Sequence, residues 1–112
     1  MLGTHVVVLV TASHREEAER IARKLLDERI AACINIVEGI KSLFWWQGRV
    51  DEASEVLMVI KTRLDLFEKV IEYVKRLHSY TVPEIIALPI IAGNTEYLRW
   101  IDEVVKGGEK KT

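Results

Sequence analysis

Two rhythms of hydrophobic residues divide the chain. "HVVVLVTA" at positions 5–12 is a β-branched run of strand length, and Ser13 with Glu16 three residues later forms a capping-box signature for a helix. In that helix Ala18, Ile21, Ala22, Leu25 and Leu26 recur at helical spacing, with Arg15, Glu19, Arg23, Lys24 and Asp27 between them. The helix should lie on a sheet with its charged side in water. Strand character returns from Ala31 to Trp46, with a bulge or bend expected at Glu38-Gly39, and continues after Gln47-Gly48 into "EASEVLMVIKT". At ~3.3 Å per residue this first arm reaches about 50 Å, beyond the ~17 to 20 Å of an ordinary strand, so part of the hairpin projects past its own domain.

A second helix is expected with Thr62 and Asp65 offering a cap and Leu66, Phe67, Val70, Ile71, Val74 and Leu77 as its apolar stripe, ending near His78. "PEIIALPIIA" predicts a buried strand in which Pro89 selects an edge or a bulge, because it has no N–H for a ladder. Asn94 caps a last helix with Tyr97, Leu98, Ile101, Val104 and Val105 on one side. The order is β-α-β-β-α-β with an added C-terminal helix, the ferredoxin-like α+β arrangement, in which right-handed crossovers put both main helices on one face of an antiparallel sheet.

That leaves the other face bare, and the strands are not polar there. Val56, Met58 and Ile60 share one side of the third strand, yet Leu57 and Val59 occupy the other; Ile86, Leu88 and Ile90 do the same in the last strand. The doublet Trp45-Trp46 raises the same problem, since successive strand residues point to opposite faces. We expect one indole in the domain's own core and Trp45 at a junction between subunits, on the side of Cys33 if no bulge shifts the alternation. Self-association through the second face follows.

Composition narrows the classes. A length of 112 residues allows one domain, taken as 1–106, with a basic tail at 107–112. A net charge of -1 gives no pull toward nucleic acid. No apolar stretch approaches the ~20 residues of a membrane span, and the start lacks a signal-peptide pattern, so a cytoplasmic chain is expected. The single cysteine, Cys33, excludes an intramolecular disulfide. Asn35, Asn94 and Gln47 are the sole side-chain amides among abundant charges, a thermophile-like balance.

From Val6 to Ile101 the sequence resembles the CutA family, the divalent-cation tolerance proteins: "AACINI", "WWQG", "EVLMVIKTR", "HSYTVPEI" and "YLRWI" occur in the family's order. The resemblance implies a ferredoxin-like homotrimer similar to PII signalling proteins, with long hairpins joining sheets between subunits, and a link to copper and other divalent cations. It also marks "HSYTVPE", which holds His78, Tyr80 and Glu84. Members proposed to bind copper carry a cysteine at the end of the first strand and paired histidines before the tyrosine. This chain has "VLVTAS" and Leu77-His78 there, and Ser79 replaces the family's usual proline.

The candidate residues admit two readings each. Cys33 is a small buried hydrophobe or a soft ligand for copper or zinc. His78 is a helix-end group meeting the last carbonyls or, as neutral imidazole, a metal ligand. A carboxylate near it, Glu84, suits metal binding or, with Tyr80, proton transfer. Lys61 is a solvated strand-end lysine or, with Arg63, an anion-binding group in an intersubunit cleft that Trp45 would help line. His5 and His14 are expected at the surface. No Walker loop, dinucleotide fingerprint, nucleophile elbow or zinc-ligand spacing occurs, so a non-enzymatic protein without an obligatory cofactor is expected.

Overall fold

The computed structural model describes residues 4–107; the expected tail, apart from Gly107, lies outside the described residues. Strand β1 (His5–Ala12) leads to helix α1 (Arg15–Asp27), the hairpin β2 (Cys33–Trp46) and β3 (Arg49–Arg63), helix α2 (Phe67–Leu77), strand β4 (Ile85–Pro89) and helix α3 (Thr95–Val104). The sheet runs β2-β3-β1-β4 with antiparallel neighbours throughout. Pro89 thus sits on an edge strand, where its missing N–H costs no ladder bond.

The core forms where the helix stripes meet one sheet face. Val6, Val8, Val10 and Ala12 of β1 and Met58 and Ile60 of β3 are buried against Ala18, Ile21 and Leu25 of α1 and Val70 and Val74 of α2. Leu26, assigned to the α1 stripe from the sequence, instead lies 40% exposed because the stripe is centred one residue earlier. Within the core the Thr62 hydroxyl donates to the Ile30 carbonyl at 2.5 Å.

The helix starts depart from expectation. His14 is the N-cap of α1 and makes no side-chain cap, while Ser13 turns to Glu17 rather than Glu16. Neither Thr62 nor Asp65 caps α2: the Thr62 hydroxyl is spent on Ile30, and Asp65 receives two hydrogen bonds from Arg63. Asn94 does cap α3, its Oδ1 accepting from the Glu96 amide at 2.9 Å.

The hairpin gives the molecule its 51 × 26 × 22 Å outline. β1 pairs with β3 only from Val56 to Arg63, so the rest of β3 is held by β2 alone and forms a projecting arm. Gln47 (φ 52) and Gly48 (φ 80) close the arm with the two left-handed residues that match strand twist. Between the pairs Val37↔Leu57 and Ile40↔Glu55 the ladder shifts: Glu38 and Gly39 together oppose Val56, and Gly39 takes φ 79, a conformation costly for any side-chain-bearing residue.

That bulge overturns the expectation for the tryptophans. Past it the odd residues of β2 share the side of the even β3 residues, so Trp46, not Trp45, lies on the side of Cys33. Neither indole enters the domain's own core: Trp45 is 75% and Trp46 57% exposed, because both stand on the arm beyond the reach of the helices. The bare face is as expected. Val37, Ile86 and Leu88 are between 44% and 48% exposed on it, and α3 covers its lower end, where Asp102 meets His5 at 2.9 Å. His5 is therefore not the surface residue expected, its side chain being 15% exposed.

Candidate functional site at the two ends of the sheet

Polar chemistry gathers first at the end of β1, where α1 begins and α2 ends. Glu17 points inward from α1 at 1% exposure, in phase with Ala18, Ile21 and Leu25. Its Oε1 accepts from the Ser13 amide at 2.8 Å and hydroxyl at 2.7 Å, and its Oε2 accepts from the Ser79 amide at 2.6 Å. Burial alone would raise this carboxyl, but the hydrogen bonds from Ser13 and Ser79 outweigh it and hold the pKa at about 2.

His78, whose side chain is fully buried, lies 3.8 Å from that carboxylate. The Tyr80 amide donates to Nδ1 at 3.0 Å, so Nδ1 holds the lone pair; Nε2 faces the Thr11 carbonyl at 2.7 Å and must carry the proton. Backbone groups thus fix the tautomer and occupy both ring nitrogens. The Tyr80 ring leans on the imidazole at 4.7 Å, and its hydroxyl donates to Glu55 Oε2 at 2.8 Å. Burial, then the Glu55 hydrogen bond and charge, then the Glu17 charge push the Tyr80 phenol up to about 12.

The second group lies at the opposite end of the bare face. Cys33, Lys61 and Val7 stand in one row across β2, β3 and β1. Lys61 Nζ donates to Asn35 Oδ1, and Tyr97 of α3 is close enough to Cys33 to feel it electrostatically. Burial raises the Tyr97 phenol, with Cys33 adding to the shift.

The two metal candidates are therefore apart within one chain. Thr11, which holds His78, is opposite Leu57, four positions along β3 from Lys61 and Cys33, or ~13 Å of strand. Trp45 is twelve residues from Cys33 along β2, and Glu84 is exposed and takes no hydrogen bond or ion pair in the described set. The carboxylates that do join the His78–Tyr80 stretch are Glu17 and Glu55, absent from the sequence-derived candidates. Glu17 was detectable as a charge in phase with an apolar stripe; Glu55 had no sequence signal, since its partner is 25 residues away.

To bind at His78 a copper or zinc ion needs the lone pair of a ring nitrogen, and both ring nitrogens are engaged by backbone groups in this arrangement. Ala12 and Ser13 supply no thiol beside it, and no group of three His, Cys, Asp or Glu side chains among the described residues could hold a metal. The donor set of a single chain does not fit such an ion at His78.

A family profile described as "CutA1 divalent ion tolerance protein" matches residues 6–104. The chain belongs to the CutA family. It is 50% identical to the divalent-cation tolerance protein CutA of Archaeoglobus fulgidus over 91% of this chain and 99% of that one. Thermus thermophilus CutA is 54% identical over 87% and 94% of the two chains. The solved Thermus structure superimposes with a TM-score of 0.89 at 51% identity, covering 90% of this chain and 98% of that one. CutA1 from Oryza sativa gives a TM-score of 0.91 at 43% identity, covering 95% and 97%.

The expectation of a cytoplasmic chain does not survive these relatives. The Archaeoglobus CutA structure is called a periplasmic protein, and the rice and Arabidopsis thaliana CutA proteins are chloroplastic. A CutA domain's surface charge and core carry no compartment label, so absence of a leader pattern was a poor guide.

Proposed function

We propose that this CutA chain serves tolerance to divalent cations such as copper as a homotrimer, by binding or regulation rather than catalysis. The observation that carries the assembly is the arm: Leu43, Trp45, Trp46 and Val50 are all more than half exposed. Leu43, Trp45 and Val50 share one surface of the arm and Trp46 stands on the other, so apolar side chains face outward on both; one aromatic side chain alone offers ~150 to 250 Å² for burial. Like chains are the fitting cover, since the bare face of the sheet is equally apolar. A cation site then has to be shared between chains and falls to Cys33 rather than His78.

Sedimentation equilibrium should return the mass of three 12.9 kDa chains, and a single-chain mass at micromolar concentration would end the assembly reading. Isothermal titration with copper and zinc tests the ligand: heat in wild type that disappears in Cys33→Ala is expected. Equal heats in both would remove Cys33, and none in either would leave regulation without direct binding.

A second reading is a PII-like sensor of a small anionic metabolite in an intersubunit cleft. It is favoured by the partner of Lys61, a neutral amide, which leaves the ammonium charge uncompensated by that contact. Nucleotides and carboxylates should raise the melting temperature of wild type and not of Lys61→Ala. If none does so in wild type, this alternative fails.

A further inference from the structure

The arm leaves the body of the molecule at a weak point. Val56 is the last β3 residue paired to β1, Glu55 is the first beyond it, and the bulge at Glu38-Gly39 interrupts the other strand at the same level. Among the described residues, two polar side-chain contacts cross from body to arm, and both are at this root. Arg15 of α1 meets Glu38 at 3.8 Å, an exposed pair of the kind that contributes little. The Tyr80 hydroxyl meets Glu55 at 2.8 Å, and that carboxylate is in a residue only 7% exposed.

Tyr80 is itself held from behind. Its amide donates to His78 Nδ1, the His78 ring is pinned to Thr11 of β1, and the preceding Ser79 amide is held by Glu17 of α1. We propose that Glu17, Ser79, His78 and Tyr80 form a brace that transmits the position of α1 and β1 to Glu55 and so sets the direction of the arm. Each member is a positioning residue. The brace works within one chain; only its use, aiming the arm at a neighbour, rests on the assembly proposed above.

The geometry gives the size of the effect. From Ile40 to Trp46 the arm extends ~20 Å, so a swing of about 10° at the bulge moves its tip by ~3 to 4 Å. Spin labels at Arg49→Cys on the arm and Arg23→Cys on the exposed side of α1, in a Cys33→Ala background, would report this distance. Labelled chains are co-refolded with excess unlabelled chain. We expect a narrow distance distribution with the brace intact, broadened by at least that tip displacement in Tyr80→Phe and in Glu55→Gln. Glu17→Gln should broaden it too, and Glu17→Gln with Tyr80→Phe should broaden it no further than either alone, because both cut one line of contacts.

An unchanged distribution in Tyr80→Phe and Glu55→Gln, both folded by circular dichroism, overturns the brace. Broadening that adds fully in the double variant overturns the placement of Glu17 within it. Sedimentation of the same samples separates this from the assembly: a single-chain wild type with a narrow distribution that broadens in Tyr80→Phe sinks the assembly alone. Assembled wild type and Tyr80→Phe with equally narrow distributions sink the brace alone.

Discussion

Replacing Glu17 by glutamine should cost this protein stability in a way that depends on pH. In the folded chain the carboxyl titrates at about 2 against an ordinary value of 4.5. At ~1.4 kcal/mol per pKa unit the difference corresponds to ~3 kcal/mol favouring the folded state when the group is ionised. Because the folded value is the lower one, this contribution is complete above pH 4.5 and disappears as pH falls toward 2. Glutamine keeps an oxygen for one serine but turns its NH₂ either toward the Ser79 amide or toward the Ser13 donors, so one donor loses its acceptor. Urea unfolding of wild type and Glu17→Gln should therefore differ by ~2 to 3 kcal/mol at pH 7. The gap should shrink steadily between pH 4.5 and pH 2, while other carboxylates, common to both proteins, cancel. The Tyr80 phenol, raised in part by the same carboxylate, stays neutral throughout that window. A gap of equal size at pH 7 and pH 2.5 would refute the assignment of the stabilisation to the ionised carboxylate.

Gly39→Ala should destabilise by ~1 to 2 kcal/mol in urea unfolding, a purely conformational cost, since φ is 79 and an added Cβ meets no atom within 4 Å; Gly39→Asn should cost less. Thr62→Val leaves the Ile30 carbonyl without its hydroxyl donor in the core and should lower stability by ~1 to 3 kcal/mol by the same assay. Trp45→Ala and Trp46→Ala should unsettle the assembly more than the single chain, seen as a shift to smaller species on dilution in sedimentation velocity; unchanged mass at every dilution would count against the arm as an interface. In spectrophotometric titration one phenol should ionise near pH 12, about two units late, and vanish from the curve in Tyr80→Phe; because the folded value is the higher one, its stabilisation holds below pH 10 and fades as pH rises toward 12.

The fold was legible because its instructions are periodic. Stripes such as Val70–Val74 and the β-branched run of β1 each specify an element and a buried side without reference to the rest of the chain. Asn94 was readable for the same reason, its cap being two residues away. The failures are contests between neighbours for one partner. Ser13 had Glu16 at capping distance but chose Glu17, which could be sealed by Ser79 from 62 residues on. Which tryptophan shares the side of Cys33 turned on one inserted residue, whose place was foreseen but whose effect on alternation requires the register of β3. His78 was correctly singled out, yet what its nitrogens touch is decided by Thr11 and the Tyr80 amide, and no spacing in the sequence displays that.

The extra residue at Gly39 also works as a frame mark. Upstream of it, even positions of β2 belong to the helix side; downstream, odd positions do. Drawing the bulge out into regular ladder without removing a residue would leave the arm's composition untouched but exchange the two surfaces of this strand, handing Trp45 and Leu43 to the side now held by Trp46 and Phe44, whereas deleting the glycine leaves Ile40 opposite Glu55 and both surfaces as they are. Comparisons of CutA arms that align residue types without aligning this bulge will pair side chains pointing in opposite directions, and grafts between relatives must be cut on the same side of it.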